Sequence, residues 1–260
     1  MTSEQFLESE LKRRTRFTKL VYQPSCESTQ DLAIARATGG PDGAVESGDA
    51  VFWADHQTRG RGRQERNWDD EPGRDLAVTL RVTAQLDNPL ALAAALPVAV
   101  LQACEAMARQ ALRIKWPNDV YCGDRKLSGV LIDRDSSQPD TYRIGVGINV
   151  NRMAFPEELS ETATSLRLLA GREFDRGTLL LSVAQHIDAM VTAIAAGDLL
   201  AHEELFCERL GLLDQQVEVQ AKETVRGVLT DINFERLVLD GQTAVPLAIV
   251  RSLRRAVLRG

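Results

Sequence analysis

The spacing of apolar residues divides the first 210 positions between short strands and longer helices. Runs of mostly apolar or β-branched residues predict strands at 17–22, 50–54, 76–82, 112–116, 126–132 and 142–150. Helices are predicted at 4–14, 89–111, 177–196 and 198–210, and another begins after Ser28-Thr29-Gln30-Asp31. Turn-forming residues cluster at 39–43 and 136–140. Because strands and helices do not alternate regularly, the sequence predicts an α+β fold with a mixed sheet layered by helices.

The pattern changes near Leu213, where alternating apolar and polar positions replace the longer runs. Strands are predicted at 217–219, 224–229, 237–239 and 244–247. Asp240-Gly241, between the last two, is a hairpin signal. We therefore expect two domains, residues 1–212 and a small β-barrel-like domain at 213–260, whose size is near the lower limit for a domain that folds alone.

Composition narrows the class of protein. The formal net charge of −6 argues against nucleic-acid binding by the whole surface, although it leaves room for a local basic patch. A long uncharged stretch, residues 88–103, is interrupted by Pro97 and is short for a membrane span, so it predicts a buried helix. The N-terminus lacks the apolar segment of a secretory signal, and the four cysteines and three histidines are scattered. These features predict a cytoplasmic protein with no disulfide framework, no metal held by the protein and no membrane partner.

The most unusual stretch is Arg59-Gly60-Arg61-Gly62-Arg63-Gln64-Glu65-Arg66-Asn67-Trp68. Glycine lets the backbone approach a ligand closely, and arginine offers a planar set of donors to phosphate or carboxylate. The stretch therefore predicts a loop that wraps an anion, with a spacing different from the Walker loop. From this loop alone, a solvated basic turn or an RNA contact of the Arg/Gly type are the alternatives.

Two further stretches place polar or small residues in predicted strands. In Lys115-Trp116-Pro117-Asn118-Asp119, Pro117 stops a strand, and an Asn118-Asp119 turn exposes an amine, an indole, an amide and a carboxylate at its end. Lys126 begins the next strand. The glycines of Gly145-Val146-Gly147-Ile148-Asn149 carry no side chain, so they predict a strand that another group approaches closely. An ordinary hairpin and a packed strand explain each stretch equally well when it is taken alone.

Together these stretches resemble the biotin–protein ligase family in order and spacing. The resemblance rests on Gly60-Arg61-Gly62-Arg63 with Arg66 and Trp68, Lys115-Trp116-Pro117-Asn118-Asp119, Arg125-Lys126-Leu127-Ser128-Gly129 and Gly147-Ile148-Asn149. Upstream, Glu27-Ser28-Thr29-Gln30 and Gln57 also match positions where that family contacts its ligands. The resemblance covers about residues 20–250. The combination of these motifs is specific for the family, whereas any one of them alone is not.

The resemblance implies a catalytic domain similar to class II aminoacyl-tRNA synthetases at 1–212 and an SH3-like domain at 213–260. It implies that biotin and ATP, with Mg²⁺, form biotinyl-5'-AMP, and that the biotin then passes to a lysine of a biotin carboxyl carrier protein. Because the first predicted strand begins near residue 20, we expect the monofunctional type, with no DNA-binding domain and no DNA partner. A monomer or a homodimer is expected.

The resemblance also implies the residues of the site. Those implied to act in catalysis are Arg61, Arg63, Asp119 and Lys126. Those implied to bind biotin are Ser28, Thr29, Gln30, Gln57, Gly60, Arg61, Gly62, Arg63, Lys126 and Gly129. Those implied to bind ATP are Arg63, Arg66, Trp68, Lys115, Asn118 and Asn149.

Two positions depart from the family pattern. Glu65 stands where the family usually has glycine, and Asp133 stands where it often has glutamate. A carboxylate at position 65 would repel phosphate unless it faces away or pairs with an arginine. The competing interpretations are a lipoate–protein ligase, a non-catalytic regulator that senses biotin or a nucleotide, and an RNA-binding protein. The turn at 115–119 together with the loop at 60–63 favours biotin.

Overall fold

The computed structural model describes residues 2–38, 48–135 and 137–256 and, at Glu65, the backbone alone. The helices are α1 (Ser3–Arg14), α2 (Thr29–Ala37), α3 (Ala91–Ala108), α4 (Leu166–Ala170), α5 (Arg176–Ala196) and α6 (Leu200–Leu210). α2 begins where predicted, because the Ser28 hydroxyl accepts a hydrogen bond from the Gln30 N–H at 3.2 Å. The turn predicted at 39–43 lies outside the described residues, as does position 136.

The first seven strands form one mixed sheet. They are β1 (Lys19–Gln23), β2 (Ala50–Ala54), β3 (Leu76–Thr83), β4 (Arg113–Lys115), β5 (Asp119–Cys122), β6 (Arg125–Arg134) and β7 (Thr141–Ile148). Their order is β1-β2-β3-β7-β6-β5-β4; β1 pairs with β2 in parallel, and the other neighbours pair antiparallel. The predicted mixed sheet is confirmed.

The two faces of this sheet carry different side chains. Val78 of β3 and Val146 of β7 belong to the main apolar core, which α1, α3 and α5 cover. Successive strand residues point to opposite faces, so Thr79 and Gly145 face α2. There the Thr79 hydroxyl donates a hydrogen bond to the Thr29 hydroxyl at 2.9 Å. The sheet face toward α2 therefore carries small and polar residues here, whereas the opposite face packs into the apolar core.

Among the described residues, α3 and α5 are long and apolar enough, by length and composition, to cross a membrane. In α3, 72% of the most apolar 18-residue window is buried inside the fold, and in α5 the corresponding share is 44%. The two helices pack against each other beneath the sheet, and α3 runs through Pro97 without interruption. The predicted buried helix is thus confirmed in α3.

The last five strands form a separate antiparallel sheet. They are β8 (Gln216–Gln220), β9 (Thr224–Ile232), β10 (Arg236–Leu239), β11 (Thr243–Pro246) and β12 (Ser252–Arg255), in the order β11-β10-β9-β8-β12. Asp240 and Gly241 join β10 to β11 with φ angles of 52° and 69°. Two successive left-handed residues are what a tight hairpin turn requires, so the predicted hairpin is confirmed.

An aromatic junction connects the two sheets. The Trp116 indole N–H donates to the carbonyl oxygen of Val250 at 3.1 Å. The ring centroid of Trp116 lies 6.4 Å from that of Phe206 on α6, and Phe206 lies 5.5 Å from Phe234. The main apolar core therefore continues from the first sheet into the second.

Two strands were not predicted, and one turn was predicted in the wrong place. Residues 116–118 form the turn, and Asp119 already begins β5, whereas the sequence predicted a turn at Asn118-Asp119. β12 has one buried position, Leu253, and so carries too little alternation to be recognised. Short strands with few apolar positions owe their pairing to neighbours that the local sequence does not reveal.

Candidate functional site

A cavity of about 530 Å³ opens on the α2 face of the seven-stranded sheet. Gly129 and Leu131 of β6 line its floor beside their partners Gly147 and Gly145 of β7. A Cβ atom added at Gly147 would lie 2.4 Å from Cε2 of Trp68, so the indole lies directly on the backbone of β7. The prediction that another group approaches the β7 strand closely at its glycines is confirmed, and at Gly147 this group is the Trp68 indole.

The first turn of α2 forms one wall of the cavity. The N–H and hydroxyl of Thr29 donate to Oε1 of Gln57 at 2.8 and 3.1 Å. Nε2 of Gln30 donates to the carbonyl oxygens of Leu131 and Arg143 at 3.4 and 3.3 Å. This orientation leaves Oε1 of Gln30 buried without a hydrogen-bond partner among the described residues. The wall therefore presents hydroxyl groups and an amide oxygen to a polar ligand.

Residues 59–68, here called the Gly/Arg loop, fold back on themselves above the cavity. The Trp68 N–H donates to the Gly60 carbonyl at 2.9 Å, and the Gly62 N–H donates to the Arg66 carbonyl at 2.7 Å. A Cβ atom at Gly60 would lie 2.4 Å from the carbonyl oxygen of Trp68. Only glycine permits this close approach, so Gly60 shapes the loop from outside the cavity lining.

Carboxylates hold the loop to both sides of the cavity. Nη1 of Arg59 lies 3.2 Å from Oε2 of Glu27. The guanidinium of Arg61 lies 3.0 Å from a carboxylate oxygen of Asp31, on α2, and 3.4 Å from one of Asp133, on β6. Asp133, which departs from the family pattern, is therefore a partner of the loop.

Arg63 and Lys115 bring two more cations to the opposite side. Nη1 of Arg63 donates to Oδ1 of Asn118 at 3.3 Å, and Nδ2 of Asn118 donates to the Val130 carbonyl at 2.6 Å. The ammonium of Lys115 lies 3.3 Å from the Tyr121 hydroxyl and 4.7 Å from the centroid of its ring. The side chains of Lys115 and Asn118, which the sequence predicted at a strand end, are thus held by contacts near the end of β4 and the start of β5.

A β-bulge aims Lys126 into the cavity. The pairing of β5 with β6 slips by one residue at Leu127, so Lys126 and Gly129 both line the cavity although they are three positions apart. Nζ of Lys126 lies 2.7 Å from a carboxylate oxygen of Asp119. Nδ2 of Asn149 donates to the Lys126 carbonyl at 3.4 Å, so Asn149 supports the lysine from outside the cavity lining.

Positive charge dominates the lining. The cationic lining residues are Arg61, Arg63, Arg66, Lys115, Lys126 and Arg251, and Asp119 is the one carboxylate among the described lining residues. In a chain with a net charge of −6, this local excess is typical of a site for anions.

The cavity collects most of the predicted site residues. Those that line it are Ser28, Thr29, Gln30, Gln57, Arg61, Gly62, Arg63, Arg66, Trp68, Lys115, Asn118, Asp119, Lys126 and Gly129. Gly60 and Asn149 are the predicted residues that do not line it. Sequence reasoning missed Gln220, Arg251 and Ser252, which the small sheet contributes to the rim. No local signal marked them, because their place at the cavity depends on how the small sheet packs against the first sheet.

Known proteins match both this sequence and this geometry. A model of the biotin/lipoate A/B protein ligase family matches residues 39–151. The biotin–[acetyl-CoA-carboxylase] ligase of Mycobacterium tuberculosis is 32% identical over 236 residues, which cover 84% of this chain and 82% of that protein. This chain belongs to the biotin/lipoate A/B protein ligase family.

Other members of the biotin/lipoate A/B protein ligase family differ in length. The bifunctional ligase/repressor BirA of Bacillus spizizenii is 36% identical over 193 residues, which cover 71% of this chain and 56% of that protein. The chain thus spans about half the length of the first curated relatives it matches. A biotin protein ligase from Aquifex aeolicus, solved in complex with biotin and ATP, superimposes with a TM-score of 0.78 at 26% identity. That match covers 92% of this chain and 100% of the other, and it confirms the predicted mixed-sheet fold.

Proposed function

We propose that this family member is a biotin–protein ligase, which forms biotinyl-5'-AMP and passes biotin to a lysine of a biotin carboxyl carrier protein. The observation that carries the proposal is the convergence of Arg61, Arg63 and Lys126, from two distant stretches of chain, on one cavity beside the polar α2 wall. The name of the Mycobacterium tuberculosis relative and the ligands of the Aquifex aeolicus structure support biotin and ATP as substrates.

In the first step, a biotin carboxylate oxygen attacks the α-phosphorus of ATP, and the bond to the β-phosphate breaks to release pyrophosphate. Two unit charges 4 Å apart repel by about 4 kcal/mol at an effective dielectric constant near 20. The guanidinium groups of Arg61 and Arg63 and the ammonium of Lys126 offset this repulsion and stabilise charge on the phosphorus oxygens. These three residues are our proposed catalytic cations.

The α2 wall is the proposed site for the ureido ring of biotin. Ser28, Thr29 and Gln57 supply hydrogen-bonding groups, and the unpartnered Oε1 of Gln30 supplies an acceptor for a ring N–H. Gly62 and Gly129 line the same cavity and leave room for the ligand, and Gly60 shapes the loop above it. The apolar parts of biotin would lie against the sheet floor.

The opposite side is the proposed nucleotide side. Trp68 offers an aromatic face, Arg66 and Lys115 offer positive charge, and Asn118 offers an amide at the cavity wall. Asn149 acts there indirectly, through the backbone of Lys126.

In the second step, a neutral lysine amine of the acceptor attacks the carbonyl carbon of the mixed anhydride, and AMP leaves. We propose that Asp119 orients this amine or takes its proton. The support is geometric, since the Asp119 carboxylate lines the cavity and already holds an ammonium group, that of Lys126, at 2.7 Å. The Gly/Arg loop would shield the anhydride from water.

Mg²⁺ would enter with ATP, because it binds phosphate oxygens and neutralises their charge. Within residues 2–38, 48–135 and 137–256, no three His, Cys, Asp or Glu side chains converge on a metal site, and we propose no protein ligand. We also propose that residues 213–260 are an SH3-like domain beside a catalytic domain at 1–212. A cytoplasmic monomer or homodimer that acts without DNA or a membrane is the corresponding biological form.

Radiolabelled biotin, ATP, Mg²⁺ and a biotin-acceptor domain test the proposal directly. We expect label on the acceptor lysine, and biotin-dependent exchange between ATP and pyrophosphate without the acceptor. Lipoate in place of biotin is the matched control, because a lipoate–protein ligase would share the fold and the adenylate. Exchange with lipoate but not biotin would contradict the proposal, and biotin binding without exchange would indicate a regulator instead.

A further inference from the structure

Asp70 closes the base of the Gly/Arg loop. It follows the loop in sequence, and 1% of its side chain is exposed. Both of its carboxylate oxygens lie 3.2 Å from the backbone nitrogen of Gln57, which precedes the loop. Nδ1 of His56 lies 3.2 Å from the same carboxylate. Burial raises the pKa of Asp70, so keeping this carboxylate charged inside the fold has a free-energy cost.

One residue links Asp70 to the cavity. Gln57 lines the cavity, and its Oε1 accepts hydrogen bonds from the N–H and hydroxyl of Thr29. With Oε1 engaged, Nε2 is the group that Gln57 can offer to a ligand. The Thr29 hydroxyl also accepts from Thr79 at 2.9 Å, which ties the same network to the sheet. Asp70 itself is not part of the cavity lining.

We infer that Asp70 is a positioning residue for ligand binding, which accepts the Gln57 N–H, holds the two ends of the Gly/Arg loop together and thereby fixes the Gln57 amide at the cavity wall. The inference rests on the proposed function and adds a residue that acts on biotin affinity without touching biotin. On the nucleotide side, Lys115 and Asn118 lie on other elements, whereas Trp68 and Arg66 lie on the loop itself. Bound biotin orders the loop again, so at saturating biotin the nucleotide side does not depend on this contact.

The expected effect follows from what the contact does. Without an acceptor at position 70, the buried Gln57 N–H loses its partner and the base of the loop is released. Biotin binding must then order the loop and Gln57 again, so the Kd and KM for biotin should rise about tenfold or more. Once biotin is bound the site is the same, so at saturating biotin kcat and the KM for ATP should stay within about twofold of the wild type.

The test compares two substitutions in the full chain. Asp70→Leu has nearly the same shape but no acceptor, whereas Asp70→Asn keeps a carbonyl oxygen for the Gln57 N–H. Glu71→Ala is the control, because the neighbouring Glu71 carboxylate is 48% exposed and lies 4.0 Å from Arg74 at the surface. Calorimetry with biotin and exchange between ATP and pyrophosphate give the Kd, both KM values and kcat. We expect the rise in Kd and KM for biotin in Asp70→Leu, near wild-type values in Asp70→Asn, and no change in Glu71→Ala.

A double-mutant cycle tests the route. If Asp70 acts through Gln57, Asp70→Leu should add little to the loss already caused by Gln57→Ala. Full additivity, wild-type biotin affinity in Asp70→Leu, or equal losses for biotin and ATP would each overturn the inference. If Asp70→Leu and the smaller change Asp70→Ser both fail to fold, Asp70 serves the fold alone and the inference is also overturned.

The proposed function is tested separately by the wild type. If the wild type catalyses exchange between ATP and pyrophosphate with lipoate and not with biotin, the proposed substrate is wrong. The Kd and KM of the Asp70 variants, relative to the wild type, are then measured with lipoate. A wild type that binds neither refutes both.

Discussion

Replacing Gly147 by alanine tests whether Trp68 must lie flat on β7. The added Cβ would lie 2.4, 2.6 and 2.7 Å from Cε2, Cζ2 and Cδ2 of the Trp68 indole. Carbon atoms pack best at about 3.5 Å or more, so the ring must move away by about 1 Å. The ammonium of Lys126 lies 5.7 Å from the ring centroid on the cavity side, so the displacement reaches the proposed catalytic groups.

The size of the effect depends on whether the loop stays closed. Forcing one extra methyl group into a packed contact costs about 1–3 kcal/mol, which corresponds to about 5- to 150-fold in an equilibrium constant. We therefore expect the Gly/Arg loop to open in Gly147→Ala and the rate of adenylate formation to fall by about ten- to a hundredfold. Gly177→Ala is the control, because its Cβ would be in ordinary contact, 3.4 Å from Asp175 and 3.7 Å from Leu7, away from the cavity.

Exchange between ATP and pyrophosphate measures the loss, and tryptophan emission measures the displacement. The chain has three tryptophans, and Trp53 and Trp116 are buried in the core, so a change in emission on Gly147→Ala reports mainly on Trp68. Melting curves check that the sheet is intact. Wild-type exchange together with unchanged emission in Gly147→Ala would refute the prediction, as would an equal loss of exchange in Gly177→Ala.

Four further predictions concern charged groups. Lys126→Ala should slow exchange between ATP and pyrophosphate by about 10²–10³-fold while biotin still binds, and a wild-type rate would contradict its role. Arg63→Ala should speed the release of biotinyl-AMP, measured by its retention on gel filtration; equal retention would count against shielding by the loop. Arg251→Ala should raise the KM for ATP several-fold, about as expected for one lost phosphate contact, and more at low salt than at high salt. Burial raises the pKa of Asp75 to about 6, so its contribution to stability is fully present below about pH 4 and is lost as the pH rises through 6. Asp75→Asn should remove that part of the pH dependence of the unfolding free energy, and an unchanged pH profile in urea titrations would show the reasoning to be wrong.

Local signals in the sequence predicted the parts of the fold that depend on local interactions. The N-terminus of α2 at Ser28 and the hairpin at Asp240-Gly241 follow from side-chain capping and from left-handed backbone angles. Both depend on neighbouring residues alone, so the sequence carries them. The glycines at 145 and 147 likewise predicted that another group approaches this strand closely, but they did not predict which group.

The rest of the site depends on contacts between distant residues. The bulge at Leu127 appears only when β5 and β6 pair, and it turns Lys126 toward the cavity. The sequence suggested that Arg61 was available to a ligand, whereas two carboxylates from α2 and β6 hold it in the structure. The rim residue Arg251 required knowledge of how the small sheet packs, which no periodicity provides.

The position of Trp116 makes the two sheets difficult to separate. Its indole donates to Val250 of the small sheet, while the residue itself lines the cavity between Lys115 and Asn118. Cutting the chain after residue 212 would strip the acceptor from that indole and leave the ring of Phe206 without Phe234. The intact protein should accordingly melt in a single cooperative transition. Loss of activity in this shortened chain would therefore show that the cavity lining around Trp116 is disturbed. It would not show that the removed residues have a separate function.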